Sequence, residues 1–139
     1  MNSNKTPYLI NFPKIGSEEF GFLSIAESNK QVPFDIKRIF WTYTTPEEIV
    51  RGRHAHYDTE MILIALSGRI IVNTEMPNGE INVFILEKPN VGLFLPKLCW
   101  HTMHYYNNPV QLVITSSLYD ESDYIRNYED FKKLILKND

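Results

Sequence analysis

The sequence predicts an all-β protein, a sandwich or barrel of antiparallel strands with one amphipathic helix at its C-terminal end. Three observations carry this. Apolar runs of about four to eight residues, rich in Ile, Val, Phe and Tyr, recur from residue 8 to residue 118 with turn signals between them. No segment between those runs has helical spacing, which argues against strand–helix–strand units. From residue 119 onward the spacing of apolar residues changes to steps of three and four.

In chain order the strands are expected at 8–11, 22–26, 36–44, 60–66, 69–75, 80–86, 92–95 and 110–117. "SGR" at 67–69 is read as a tight reversal between the fourth and fifth of these. "MPNGE" at 76–80 is read as a hairpin turn, in which Gly79 takes a positive φ that residues with a Cβ resist. Short antiparallel strands of this number suit jelly-roll architectures. In "YDESDYIRNYEDFKKLILKND", Tyr124, Ile125, Tyr128, Phe131, Leu134 and Ile135 recur at steps of three and four, with Asp and Ser ahead of the first turn and lysines in the last. That segment is expected to be one helix covering an open sheet face.

The chain has 139 residues, 43% of them hydrophobic and 13% aromatic, with a net charge of -3. These values suit one folded domain over residues 1–139 and leave no low-complexity or disordered segment. A single cysteine, Cys99, excludes an internal disulfide, and the start lacks a basic region followed by a long apolar run, so a cytoplasmic protein is expected. No apolar run approaches the roughly 18 to 20 residues of a membrane helix. The mild acidity, with a pI near 5.8, gives no overall attraction to nucleic acid. Two local basic pairs, Lys37/Arg38 and Arg51/Arg53, suit a small anion instead.

The chemistry concentrates in "RGRHAHYDTE", residues 51–60. On a strand, His54 and His56 share a face, with Arg51, Arg53 and Ala55 on the other unless a bulge intervenes. Glu60 has the same parity as the histidines in a regular strand. Later, in "GLFLPKLCWHTMH", Gly92, Pro96 and His101 are spaced as in the second motif of the cupin superfamily, and His54, His56 and Glu60 match the HxH-x3-E form of its first. Three imidazoles and a carboxylate suit Zn, Fe, Mn or Ni. They equally suit a hydrogen-bonded network, because an unpartnered buried polar group costs on the order of 1–3 kcal/mol. Spacing alone does not choose between these.

The motifs "FDIKRIF", "RGRHAH", "VGLFLP", "CWHTM" and "LYDESDYIRNYEDF", in this order, closely resemble the dTDP-sugar 3,4-ketoisomerases, over residues 12 to 135. The resemblance implies a cupin-type jelly roll, a homodimer with exchanged strands, and action on a dTDP-linked 4-keto-6-deoxyhexose. It also implies catalysis with neither a metal nor another cofactor. Moving a ketone from C4 to C3 requires loss of the C3 proton, passage through an enediol and protonation at C4. Histidine serves both steps near neutral pH. By resemblance His54 is the base at C3 and His101 the second proton carrier, with His56 and Glu60 in a network that fixes the tautomers.

A histidine at position 101 resembles the branch of the family that gives the galacto product. Arg51 and Arg38, assisted by Lys37 or Arg53, are candidates for the diphosphate, since guanidinium pairs with phosphate in a bidentate fashion. Phe20 and Phe40 fall at substrate-facing positions where the family commonly has hydroxyl or basic residues, and Met61 falls where it often has glutamine. Trp41 and Trp100 are assigned to the core or to stacking on the ligand, whereas His104 and Cys99 receive no catalytic role. Two alternatives follow from the same residues: a metal-dependent cupin enzyme, and a nucleotide-sugar binder without catalysis.

Overall fold

A computed structural model of the protein describes residues 5–137. The strands are β1 (Tyr8–Asn11), β2 (Lys14–Ser17), β3 (Gly21–Ser24), β4 (Arg38–Thr42), β5 (Arg51–His56), β6 (Met61–Glu75), β7 (Ile81–Leu86), β8 (Val91–Leu95), β9 (Trp100–Thr115) and β10 (Tyr124–Ile125). One α-helix, α1 (Tyr128–Lys137), follows them among the described residues.

Two long strands organise the rest, because β6 pairs antiparallel with β9 from Met61↔Thr115 to Glu75↔Trp100. Where Met61–Ile64 meets Leu112–Thr115, β8 and β1 extend the sheet on one side and β4 on the other. Where Ile70–Glu75 meets Trp100–Tyr105, β7 adds on one side and β5 then β10 on the other. A core of Leu63, Leu93 and Val113 from the first group and Val72, Leu86 and Tyr105 from the second fills the space between them. This is the cupin-type jelly roll.

The segment "SGR" is not a reversal. It is a bend inside β6, with register shifts between Ala65 and Ser67 and between Ser67 and Arg69. Gly68 sits at φ +72°, and a Cβ there would lie 2.6 Å from the Cα of Pro109, so only glycine fits the close approach. The bend is shared by β9, where Asn107 and Asn108 also take positive φ. Both strands thus pass from one sheet to the other while staying paired. By contrast, "MPNGE" forms the expected hairpin, with Gly79 at φ +92° and the Gly79 amide donating to the Met76 carbonyl at 2.9 Å. The strand at 14–17, exposed at every residue, carries no apolar run that could have announced it.

Two further apolar clusters cover the outsides. Phe12, Val32 and Phe34 pack on Ile62, Ile64, Phe94 and Ile114. Phe131 of α1, fully buried, packs with Ala55 and Ile125, and Leu98, Trp100 and Leu134 flank it. The helix therefore covers a sheet face, but it begins only at Tyr128. Ahead of it the Asp120 carboxylate accepts from the Ser122 amide and caps a single 3-10 turn over Glu121–Asp123. The chain then leaves in extended conformation, and Tyr124–Ile125 pairs with β5. Asn127 caps the true helix by accepting from the Asp130 amide at 3.1 Å. Among the described residues no helix is long and apolar enough to cross a membrane.

Candidate active site

The site is built on an irregularity in β5. Arg51 opposes Met103, Gly52 opposes Thr102, and His54 opposes His101, so Arg53 is an extra residue with no partner in the ladder. Opposed residues share a sheet face, and Met103 belongs to the core between the sheets. The bulge therefore turns Arg51 to the same interior side as His54 and His56, where regular alternation would have placed it outside. Glycine is needed at 52: its φ is +85°, and a Cβ would lie 2.8 Å from the His101 carbonyl oxygen. Arg53 follows at φ +59°.

Three imidazoles and a phenol converge inside. The His54 ring lies 4.8 Å from His101, 5.1 Å from His56 and 5.0 Å from Tyr124, measured between ring centres. Tyr124 of β10 is the ladder partner of His56 and sits 4.4 Å from it. Hydrogen bonds at Nδ1 orient each ring. His54 Nδ1 meets the Gly52 carbonyl at 3.0 Å and His101 Nδ1 meets the Cys99 carbonyl at 3.1 Å. A carbonyl only accepts, so these nitrogens carry the protons and the Nε2 lone pairs of the neutral rings stay available. His56 Nδ1 meets the Asp123 carboxylate at 3.1 Å.

Burial, with the neighbouring histidines adding repulsion, pushes His54 down to about 2. Burial likewise pushes His101 down to about 4 despite the Cys99 carbonyl. His56 is also lowered by burial, with the Asp123 carboxylate opposing the shift. The cluster is therefore neutral near pH 7 and offers bases. Burial pushes the Cys99 thiol up to about 12, which keeps it unreactive.

Two guanidiniums, Arg38 and Arg126, act on the cluster, and Arg126 packs over the Tyr124 ring at 4.1 Å. Arg38, on the interior face of β4, packs over the rings of Phe40 and Tyr119 at 5.2 and 5.5 Å, and its charge opposes protonation of His56. Arg51 stands by Tyr105, whose phenol burial pushes up, opposed by a hydrogen bond with Thr42 and by the charge of Arg51. Phe40 is partly buried against the main core and forms the wall beneath Arg38.

Other sequence-predicted residues lie elsewhere. Lys37 is exposed, one residue from Arg38 and off the interior face. Arg53 lines a cleft of about 540 Å³ on the outer side of the sheet, with Trp100, Thr102, Arg126 and Tyr128. Phe20, 86% exposed, sits at the β2–β3 turn. Trp41 is on the surface rather than in the core, whereas Trp100 packs beside α1.

Glu60 departs from the network expected of it. Its carboxylate pairs with Lys5 at 2.8 Å, and the partner of His56 is Asp123. The four ligand-type positions of the cupin motifs thus do not assemble, and among the described residues no group of three or more His, Cys, Asp or Glu side chains is placed to hold a metal ion. Sequence reasoning missed Tyr124, Asp123 and Tyr119 because it assigned their segment to a helix. The available signal was Asp120-x-Ser122, a turn motif ahead of the apolar face.

A jelly roll with a histidine-lined interior flanked by arginines defines a cupin-type protein suited to proton transfer on an anionic ligand. The chain belongs to the family described as FdtA, WxcM-like, C-terminal, which matches residues 5–136. It is 42% identical to the TDP-4-oxo-6-deoxy-alpha-D-glucose-3,4-oxoisomerase of Aneurinibacillus thermoaerophilus, covering 93% of this chain and 92% of that one. The 3,4-ketoisomerase QdtA of Thermoanaerobacterium thermosaccharolyticum, solved with TDP, superimposes with a TM-score of 0.90 at 34% identity over 97% of this chain and 98% of that one. A histidine-to-asparagine variant of that enzyme was solved with TDP-4-keto-6-deoxyglucose, with a TM-score of 0.89 at 34% identity over 99% and 97% of the two chains.

Proposed function

We propose that the protein is a dTDP-sugar 3,4-ketoisomerase, one domain over residues 1–139, converting dTDP-4-keto-6-deoxyglucose to a dTDP-3-keto-6-deoxyhexose. The observation that carries this is the cluster of His54, His56 and His101, with Nε2 of His54 free to act as a base, Arg38 acting on His56 and Arg51 on the same interior side. The identity of 42% to an oxoisomerase supports the substrate.

In this reading the C3–H bond breaks and its proton passes to His54 Nε2. The electron pair becomes the C3=C4 bond, and the former carbonyl oxygen O4 takes a proton from solvent. In the second half O3–H gives its proton back to solvent as C3=O forms, and C4 takes a proton from His101, which enters the cycle as imidazolium. Electrons stay within the sugar, so no redox cofactor enters, and no metal is assigned a step. Delivery by His101 gives the galacto configuration at C4. Arg38 and Arg51 hold the diphosphate, a pairing whose charge-assisted bonds each contribute about 1.5–3 kcal/mol. Bound diphosphate also favours imidazolium in the cluster, opposing the effect of burial.

The site is completed by a second copy of the chain. Ile15, Phe22 and Leu23 on the β2–β3 arm are about half exposed, and so are Ile39 and Trp41 on the outer face of the edge strand β4. A homodimer with exchanged strands covers such surfaces and carries Phe20 to the neighbouring pocket. The enzyme acts in the cytoplasm, where nucleotide sugars are made.

The test is proton NMR of dTDP-4-keto-6-deoxyglucose with chelator-treated protein in D₂O. Exchange at C3 with a 3-keto product is the expected result, and the C4 coupling identifies the epimer. Absence of exchange despite dTDP binding overturns the isomerase reading.

A further inference from the structure

The Asp123 carboxylate is gripped from three directions. It accepts from the Asp58 amide at 2.7 Å, from the Thr59 hydroxyl, and from His56 Nδ1 at 3.1 Å. The carboxylate is fixed before any ligand arrives. A carboxylate accepts, so His56 Nδ1 carries a proton, and its Nε2 is the one buried side-chain polar atom among the described residues with no hydrogen-bond partner. That nitrogen belongs to a ring in contact with Tyr124 and His54 and lies on the same interior side as His101. Leaving such an atom unpartnered costs on the order of 1–3 kcal/mol, which calls for a use.

The isomerisation supplies one. In each turnover His54 gains a proton and the imidazolium of His101 loses one, so passage of one proton from His54 to His101 restores the cluster for the next substrate. His56 lies beside both rings, with centres 5.1 Å from His54 and 6.4 Å from His101, and those two are themselves 4.8 Å apart. Of the three histidines it is the one backed by a carboxylate.

We infer that Asp123 is a positioning residue for the reaction: it fixes His56 as the Nδ1–H tautomer, so that the Nε2 lone pair receives the proton from His54 and passes it to His101. The step balances, since His54 loses the proton that His101 gains and His56 ends as it began. The charged and titratable groups around His56 are His54, His101, Tyr124, Asp123, Arg38 and Arg126. Asp123 is the one anion among them, and it stabilises the imidazolium during passage. The assignment rests on the isomerase reading above.

Asp123→Asn tests it, because the amide oxygen keeps the Asp58 bond while the NH₂ faces His56 and forces the Nε2–H tautomer. Long-range ¹⁵N–¹H NMR of the full chain reads the tautomer, and steady-state kinetics reads its effect. The expected result is Nδ1–H in the wild type, Nε2–H in the variant, and kcat lowered at least tenfold with KM changed less than threefold. An unchanged tautomer, or kcat within threefold of wild type, overturns the inference. Should the variant fail to fold, the wild-type spectrum decides, since a proton on His56 Nε2 overturns it. Failure of the isomerase reading shows separately, as absent C3 exchange by the wild type.

Discussion

Strands β4 and β5 each bring a basic pair to the site, and they sort their cations by different means. In β4, plain alternation turns Arg38 inward with Phe40 and leaves Lys37 off the interior face. In β5, alternation would have kept Arg51 and Arg53 together on the outside. The bulge at Gly52 and Arg53 separates them, turning Arg51 to the interior side by Tyr105 and Arg53 to the outer cleft. A regular strand can be read from side-chain parity, whereas a bulge is set by the partner strand and by the absence of a Cβ at one position.

The largest expected effect contrasts the interior residues of the two strands. His54→Ala on β5 should lower turnover at least a hundredfold with melting temperature and dTDP affinity little changed, the scale of lost acid–base catalysis. Phe40→Ala on β4 should instead cost about 2 kcal/mol of stability through lost packing, read by denaturant unfolding. Turnover near wild type for the first variant would remove His54 from the mechanism.

Gly52→Ala attacks the bulge directly. The added Cβ meets the His101 carbonyl and forces a left-handed φ on alanine, so Tm should drop by roughly 5 °C or more and turnover should fall with it. An intact site in that variant would show that the bulge forms without glycine.

The sorting of cations makes a smaller prediction, measurable by calorimetry with dTDP. Arg51→Ala and Arg38→Ala should each weaken binding about tenfold or more, the loss of a charge-assisted phosphate contact. Arg53→Ala and Lys37→Ala should change it less than about threefold. Equal losses from Arg51→Ala and Arg53→Ala would erase the distinction.

The smallest effect is on stability against pH. Because His54 and His101 have folded values of about 2 and about 4, the unfolded chain takes up protons that the folded chain refuses. Their neutral burial is without penalty above about pH 6.5, and stability is lost as pH falls below that value towards the folded ones. Tm should decline between pH 7.5 and 5, and the decline should be shallower in His54→Gln.

The legible parts of the fold were those governed by local chemistry. Gly79 announced its hairpin, the apolar runs announced β4, β7 and β8, and the HxH spacing with the second motif pointed to His54, His56 and His101, which come together. What sequence reading missed depended on distant partners. Gly68 resembles a hairpin glycine, but pairing with β9 on both sides of it converts a reversal into a bend. Glu60 has the right spacing for the histidines, yet Lys5, remote in sequence, takes its carboxylate. Asp123 fills that place from a segment whose apolar spacing continues that of the helix. The Asp120 cap and pairing with β5 pull Tyr124 and Ile125 out of that helix.

The two residues of β10 occupy the outer edge of β5. Without them the unpaired amides and carbonyls of β5 would form an open sheet edge, the kind of surface on which other chains assemble. Any lesion that peels away residues 120–125 would therefore remove Asp123 and Tyr124 from the histidines and expose an adhesive strand at the same moment. Loss of catalysis and loss of solubility are thereby tied to one short segment, so damaged copies would tend to precipitate rather than persist as inactive binders of nucleotide sugar.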